Sequence, residues 1–310
     1  SVPLWTVEGR KLSFPVSLSY HASGIRIDNI AGWVGTGWSL NAGGVITRTI
    51  RGKADDLQSG YYHGKANGLP SLVNNLFEYA EWIPPGENDY ERNLYLQNID
   101  NGVVDAEPDI FIFNFNGRSG KFVFDTDGNV RILSLQNILI NPEFGSDNKI
   151  IRWEVIDETG NKYLFGGNDA VETTTPLTIN GNPKESFISS WYLKDIQTAN
   201  NEDDIQFNYI VYNIAQKYPV PHHKGGCTSP EWEDLKKYTQ TNIQGKYLSQ
   251  INYSKGTVIF DTVVISGFNG QTHTALNEII IRAKPTNQTV RKYKFTYSFF
   301  PVECPGCDQD

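Results

Sequence analysis

The chain contains no methionine among its 310 residues and only three cysteines. Because no methionine stands at position 1, we expect Ser1 to be a processed end, the boundary of an expressed fragment or the edge of an ordered region. A missing targeting signal at this end therefore says nothing about the parent protein. Three cysteines in a chain of this length also exclude a small domain that depends on disulfides for its stability.

Long apolar runs and concentrated basic segments are missing as well. No apolar stretch approaches the roughly 20 residues that span a bilayer, and no signal-peptide pattern follows Ser1. The net charge is −8, from 35 acidic and 27 basic residues, and no Lys/Arg cluster typical of nucleic-acid binding stands out. We therefore expect neither a membrane-spanning segment nor a nucleic-acid partner.

Aromatic residues and glycine are abundant instead: aromatic residues make up 13% of the chain, and it contains 28 glycines. Aromatic side chains suit the pleated surface of a sheet, and glycine suits tight turns. Apolar and polar residues alternate from Leu12 to Tyr20, which is the period of a strand with one buried face. Similar runs predict strands at residues 45–51, 110–115, 121–124, 130–135, 151–156, 162–165, 190–196, 204–209, 247–253, 257–260, 275–283 and 290–297. The predicted fold class is all-β, with consecutive antiparallel strands and hairpins.

Two stretches interrupt this rhythm with helical spacing, at residues 71–82 and 231–238. They lie in longer connections, which we interpret as insertions at about 57–105 and 213–245. We expect one or two short helices there. No clean boundary divides the chain, so residues 1–310 are interpreted as a single continuous β-rich segment of a larger protein.

The run from Gly32 to Arg48 is unusually dense in glycine and tryptophan. Glycine permits tight turns and close backbone approach, and the two indoles supply large apolar area. The run predicts a tight corner locked by two tryptophans that leads into a strand. Its structural residues are Gly32, Trp33, Gly35, Gly37, Trp38, Asn41, Gly43 and Gly44.

This run, with residues 12–24 before it, resembles the front end of RHS/YD-repeat proteins. The front end that it resembles is related to the virulence-plasmid B-type region of insecticidal toxin complex B components. Further blocks follow in the order typical of the family, at residues 108–111, 120–125, 162–167, 190–193 and 291–297. The resemblance covers most of the chain, and the two insertions depart from it.

The resemblance implies a structural role. It implies a hollow β-shell wound from a long spiral of strands, which encloses a C-terminal cargo such as a toxin that is processed and released. The expected partners are the remainder of the same chain, the enclosed cargo and the export machinery, and the expected location is secreted or at the cell surface. No catalytic residue and no cofactor are carried over from the family, so we do not expect an enzyme.

Cysteine and histidine provide the only candidate metal ligands. Cys304 and Cys307 form a CxxC motif, and with Cys227, His222 and His223 they have the ligand types of a structural zinc site. The ligands are about 80 residues apart and no second CxxC exists. An oxidised CxxC and free thiols are therefore alternatives to zinc.

A surface adhesin or carbohydrate-binding β module is the alternative function. Trp82, Tyr90, Tyr95 and Trp232 lie in the insertions and have the aromatic faces on which sugars stack, although loop anchoring is the more ordinary role for such residues. This alternative predicts glycan binding that is lost on Trp82→Ala or Trp232→Ala. The carboxylate clusters at residues 202–204 and 231–234 do not form the facing pair that a glycosidase needs.

Overall fold

A computed structural model describes residues 1–22, 32–64, 97–101, 103, 105–125, 127–178, 181–219, 238–266 and 272–298. This part of the chain contains seventeen strands and two short helical segments, one of them α1 (Tyr61–Gly64) and the other at residues 97–100. Within it, no helix combines the length and the apolar character needed to cross a bilayer. The residues divide into two compact units, which are described in turn.

Unit 1 comprises residues 1–42 and 249–310. A three-stranded antiparallel sheet has the order β1-β2-β3, and a second group pairs the end of β14 with β15, β16 and β17 as successive antiparallel neighbours. Its strands are β1 (Val2–Glu8), β2 (Ser13–Tyr20), β3 (Trp38–Asn41), β15 (Gly256–Ser266), β16 (Thr272–Ala283) and β17 (Thr289–Lys294).

Unit 2 comprises residues 43–248 and holds the larger sheet. Its strands are β4 (Gly44–Thr49), β5 (Ile110–Phe115), β6 (Arg118–Phe124), β7 (Val130–Ile132), β8 (Ile138–Phe144), β9 (Ile150–Asp157), β10 (Lys162–Gly166), β11 (Val171–Pro176), β12 (Phe187–Gln197), β13 (Asp204–Pro219) and β14 (Tyr238–Tyr253), whose last residues belong to unit 1. The main path through this sheet is β14-β11-β12-β4-β5-β6-β7.

Strand β12 is the branch point of this sheet. Along one edge it pairs with β11 and then with β13, and along the other with β4 and then with β10. The β10 branch continues through β9 to β8. Every pairing whose register is described is antiparallel, and five of these pairs are joined by short hairpins. Trp191 and Leu193 of β12 are fully buried, so the branch point lies against the core.

A cluster of aromatic rings fills the core of unit 2. The Phe111 ring centroid lies 5.0 Å from that of Phe122 and 5.1 Å from that of Trp153, and the two tryptophans Trp153 and Trp191 are 5.7 Å apart. These side chains are all fully buried. The Trp191 indole also donates to the Ile150 carbonyl at 2.9 Å, which satisfies its polar atom inside the core.

The predicted all-β fold of antiparallel strands and hairpins, with short helices in an insertion, is confirmed. Both helical segments lie in the insertion at 57–105, whereas the predicted helix at 71–82 lies outside the described residues. The same holds for the helix at 231–238 except for its last residue, which begins β14. Four strands were not predicted, namely β1, β3, β8 and β11. The continuity of residues 1–310 as one segment stays a prediction.

Strand β8 offers a matched test of the core, because adjacent leucine and isoleucine point to opposite faces. Ile140 is 3% exposed and Leu139 is 56% exposed. We expect Ile140→Ala to lower the free energy of unfolding by about 2–5 kcal/mol, since it removes buried apolar volume. Leu139→Ala should change it by less than about 0.5 kcal/mol. Urea unfolding of both variants checks the difference, and equal losses would contradict the orientation of β8.

Candidate functional site

The run at residues 32–48 is divided between the two units. In unit 1 its first part forms a tight turn, in which the Gly35 amide donates to the Gly32 carbonyl at 2.9 Å. Gly35 and Gly37 have φ of 99° and 77°, a region that residues with a Cβ seldom adopt. The Trp33 carbonyl accepts the Leu276 amide at 2.7 Å, which ties this turn to β16.

The two tryptophans of the run differ in burial. Trp33 is half-buried, and its ring lies 6.4 Å from that of Phe260. Trp38 is 38% exposed and lies 5.1 Å from the Tyr20 ring on the neighbouring strand β2. Trp38 is thus not enclosed, because β3 is a short strand with only one partner in the described part of unit 1. The corner locked by two tryptophans stays a prediction. Asn41 is exposed too, and its side-chain amide donates to Ser19.

The candidate metal ligands Cys227, Cys304, Cys307, His222 and His223 lie outside the described residues, as do Trp82, Tyr90, Tyr95 and Trp232. Within the described part of the chain, no group of three or more histidine, cysteine or acidic side chains is arranged to hold a metal ion. Zinc and glycan binding stay predictions.

The most unusual chemistry in the described structure is a buried charge cluster in unit 2. Arg48 lies on β4, and Asp55 and Asp56 follow in the connection after that strand. Asp109 stands directly before β5, the antiparallel neighbour of β4. All four side chains are at least nine-tenths buried. The pairing of β4 with β5 thus brings together charges that are more than 50 positions apart in the sequence.

Arg48 is the centre of this cluster. Its Nη1 donates to Asp56 Oδ1 at 2.6 Å, and its Nε lies 3.6 Å from Asp109 Oδ2. Its guanidinium carbon lies 5.3 Å from the Phe111 ring centroid and 4.9 Å from that of Trp191. A desolvated arginine gains from such contacts with aromatic faces as well as from carboxylates. The cluster therefore links the charged connection to the aromatic core.

Asp55 and Asp109 bind each other's backbone reciprocally. The Asp55 amide donates to Asp109 Oδ2, and the Asp109 amide donates to Asp55 Oδ1, each at 2.9 Å. Asp109 Oδ1 accepts the Arg51 amide at 2.9 Å, and Asp56 Oδ2 accepts the Ile150 amide at 2.8 Å. These buried carboxylates thus supply acceptors for four backbone amides, those of Arg51, Asp55, Asp109 and Ile150.

A fourth carboxylate extends this arrangement. Asp105 accepts the amides of Lys53 at 2.9 Å and Glu107 at 3.1 Å. A Cβ at Gly52 would lie 2.5 Å from Asp105 Oδ1, so only glycine lets the backbone approach this carboxylate. Both ends of the connection between β4 and β5 are therefore fixed by side-chain carboxylates.

The cluster is short of positive charge, since three carboxylates surround one guanidinium. Burial, with the neighbouring Asp109 carboxylate, raises the pKa of Asp55 to about 8. Burial also raises the pKa of Asp109 to about 6, against the lowering effect of Arg48. The second oxygen of Asp55 has no hydrogen-bond partner in the described structure. The raised pKa favours the neutral form of Asp55 at neutral pH, because the neutral form avoids an unpaired buried charge.

Two neighbouring carboxyl groups whose environments give them different pKa values are typical of a site for acid–base catalysis. Asp55 and Asp109 are both fully buried, however, and their oxygens face backbone amides and Arg48. A general acid or base must reach within hydrogen-bond distance of its substrate. The geometry therefore favours a structural cluster that anchors the connection.

Sequence reasoning identified Arg48 only as the end of a run and Asp109 only as part of a family block. One signal was present in the sequence. Arg48 shares its strand face with Ile46, which is fully buried. A basic residue on the apolar face of a strand requires a buried acidic partner. The alternation predicts that such a partner exists, but not which aspartate it is.

Comparison of the chain with protein-family models gave no match, and neither curated proteins nor solved structures gave a significant one.

The raised pKa of Asp55 predicts how stability depends on pH. With an unfolded value of 3.8 and a folded value of about 8, the folded chain binds more protons between these two pH values. The contribution of Asp55 to the free energy of unfolding is thus fully present below pH 3.8 and falls as the pH rises to about 8, by at most about 1.4 kcal/mol per pH unit.

We expect Asp55→Asn to flatten this dependence, because an amide keeps the Oδ1 acceptor and cannot ionise. Urea unfolding at several pH values between 4 and 8 measures the slope. Asp127→Asn, in an exposed turn, is the control and should retain the slope of the parent chain. An unchanged slope in Asp55→Asn would contradict a neutral Asp55.

Proposed function

We propose that the chain is a non-catalytic, structural segment of an exported RHS/YD-repeat protein, whose β-shell encloses a C-terminal cargo such as a toxin. The ordered blocks at residues 12–24, 32–48, 108–111, 120–125, 162–167, 190–193 and 291–297 support the family. The chain would form part of the wall of the shell. Its partners would be later strands of its own chain, the cargo and the export machinery, with the mature protein secreted or at the cell surface.

The observation that carries this proposal is an incomplete sheet in unit 2. Among the described residues, β7 pairs only with β6, and β8 pairs only with β9. Between and beside these edges, Leu133 is 61% exposed, Leu135 is 103% exposed and Leu139 is 56% exposed. Open edges beside exposed apolar side chains invite aggregation in a free-standing domain. Further strands that pair with β7 and β8 and cover these leucines would remove the hazard.

The buried charge cluster also supports a structural role. Its carboxylates and guanidinium hold both ends of the connection between β4 and β5 against the aromatic core. A wall segment needs such fixed connections, since a long connection that opened would expose the core of the sheet.

Hydrogen exchange in the complete natural protein tests the proposal. We expect the amides of β7 and β8 to exchange slowly there and quickly in the isolated chain of residues 1–310, because later strands would pair with these edges. Strand β12 pairs on both edges and is the internal control, with slow exchange in both samples.

Equal exchange of β7 and β8 in the two samples would contradict a wall segment. The coding sequence beyond Asp310 gives an independent check of the family. Repeated Tyr-Asp motifs followed by a divergent tail are expected, and their absence from the complete protein would contradict the RHS/YD assignment.

A further inference from the structure

Unit 1 contains a groove of about 510 Å³ between β1 and the hairpin of β16 and β17. This volume is in the range of pockets that hold small organic ligands. Its lining includes the apolar residues Leu4, Trp5 and Val290 and the cationic residues Lys255, Arg282 and Arg291. The groove thus combines apolar and cationic side chains.

Two β-bulges shape the groove, one on each side. The pairing of β1 with β2 shifts between Pro3 and Trp5, so Leu4 is the extra residue. The pairing of β16 with β17 shifts between Ile281 and Arg282, so Val290 is the extra residue on β17. Bulges bend a strand and redirect its side chains, and they are frequent beside binding sites. Leu4 and Val290 both face the groove.

Strands β1 and β17, on either side of the groove, are joined by a direct hydrogen bond. The Tyr293 hydroxyl, on β17, donates to the Leu4 carbonyl at the bulge of β1. This bond fixes the position of the bulged backbone relative to β17, so the groove is formed before any ligand enters. A preformed site loses less conformational entropy on binding than one that must be ordered.

Among the described residues, the cations of the groove have no acidic partner within ion-pair distance. No ion pair in the described part of the chain involves Lys255, Arg282 or Arg291. The Nε atom of Arg282 is buried and has no hydrogen-bond partner there. A buried donor without a partner costs free energy that a bound acceptor would recover. Glu8 is the one acidic residue that lines the groove.

The charge of unit 1 as a whole has the same sign. Over residues 1–42 and 249–310 the sequence has nine lysines and arginines against seven aspartates and glutamates. Unit 1 therefore carries a net charge of +2, whereas the whole chain carries −8. The sequence shows no compact basic run, because the folded chain gathers these residues from both of its ends. A cationic unit attracts anions to the groove.

We propose that this groove binds a small organic anion with an apolar body, either a carboxylate or a phosphate monoester. The anionic head would lie near Arg282, Arg291 and Lys255, and the apolar body would pack on Leu4 and Trp5. The site is independent of the proposed structural role, which needs no ligand.

Calorimetric titration with naphthoate and naphthyl phosphate tests the site, and naphthamide is the uncharged control ligand. We expect one saturable site for at least one anion and at least tenfold weaker binding of the amide. Lys255→Gln combined with Arg291→Gln removes two exposed cations of the groove and should raise the Kd about tenfold, or about 1.4 kcal/mol. Lys292→Gln combined with Lys294→Gln removes the same charge from β17 outside the groove and should raise it less than about threefold.

Nuclear magnetic resonance of the Trp5 indole gives a readout that needs no variant, since its signal should shift on addition of the bound anion. Absence of saturable binding by both anions would overturn the proposal, and so would equal binding of naphthamide. Equal weakening by the two double variants would also overturn it, because the attraction would then belong to unit 1 in general. The relative Kd of naphthoate and naphthyl phosphate distinguishes a carboxylate site from a phosphate site.

Discussion

One buried arginine, shared by three buried aspartates, determines how unit 2 is organised. Arg48 lies between the aromatic core and three aspartates, and Asp55 has its pKa raised to about 8. Desolvating such a group is costly unless its partners are complete. The partners come from the residues that follow β4 and from the residue directly before β5, so the two ends of that connection and the burial of the core depend on each other.

This dependence explains why the cluster contains carboxyl groups with raised pKa values, as active sites do, and yet gives a substrate no access to them. The perturbed carboxyl groups are the ones that bind backbone amides, and each of them lies inside the protein. Perturbed pKa values occur in structural ion networks as well as in catalytic sites. In the described part of unit 1, by contrast, an open groove is lined by apolar and cationic side chains, and the buried Arg282 Nε there has no hydrogen-bond partner among the described residues.

Much of the fold could be predicted from the sequence, and three of the four strands that were missed share a physical reason. The alternating run IFIFNF gave β5 with its observed bounds. Strands β1, β8 and β11 each contain a proline, at Pro3, Pro142 and Pro176, which weakens a strand pattern. In the described structure β1 and β8 are edge strands, where proline is tolerated. The charge cluster was not predictable, because its members meet only through the pairing of β4 with β5.

We propose that this chain is part of the wall of a larger β-shell. Electron cryo-microscopy of the complete protein tests it most directly. We expect a hollow shell in whose wall residues 1–310 are continuous with later strands, with β7 and β8 paired on both edges and Leu135 covered. A separate, closed domain with those edges and Leu135 in solvent would contradict the account.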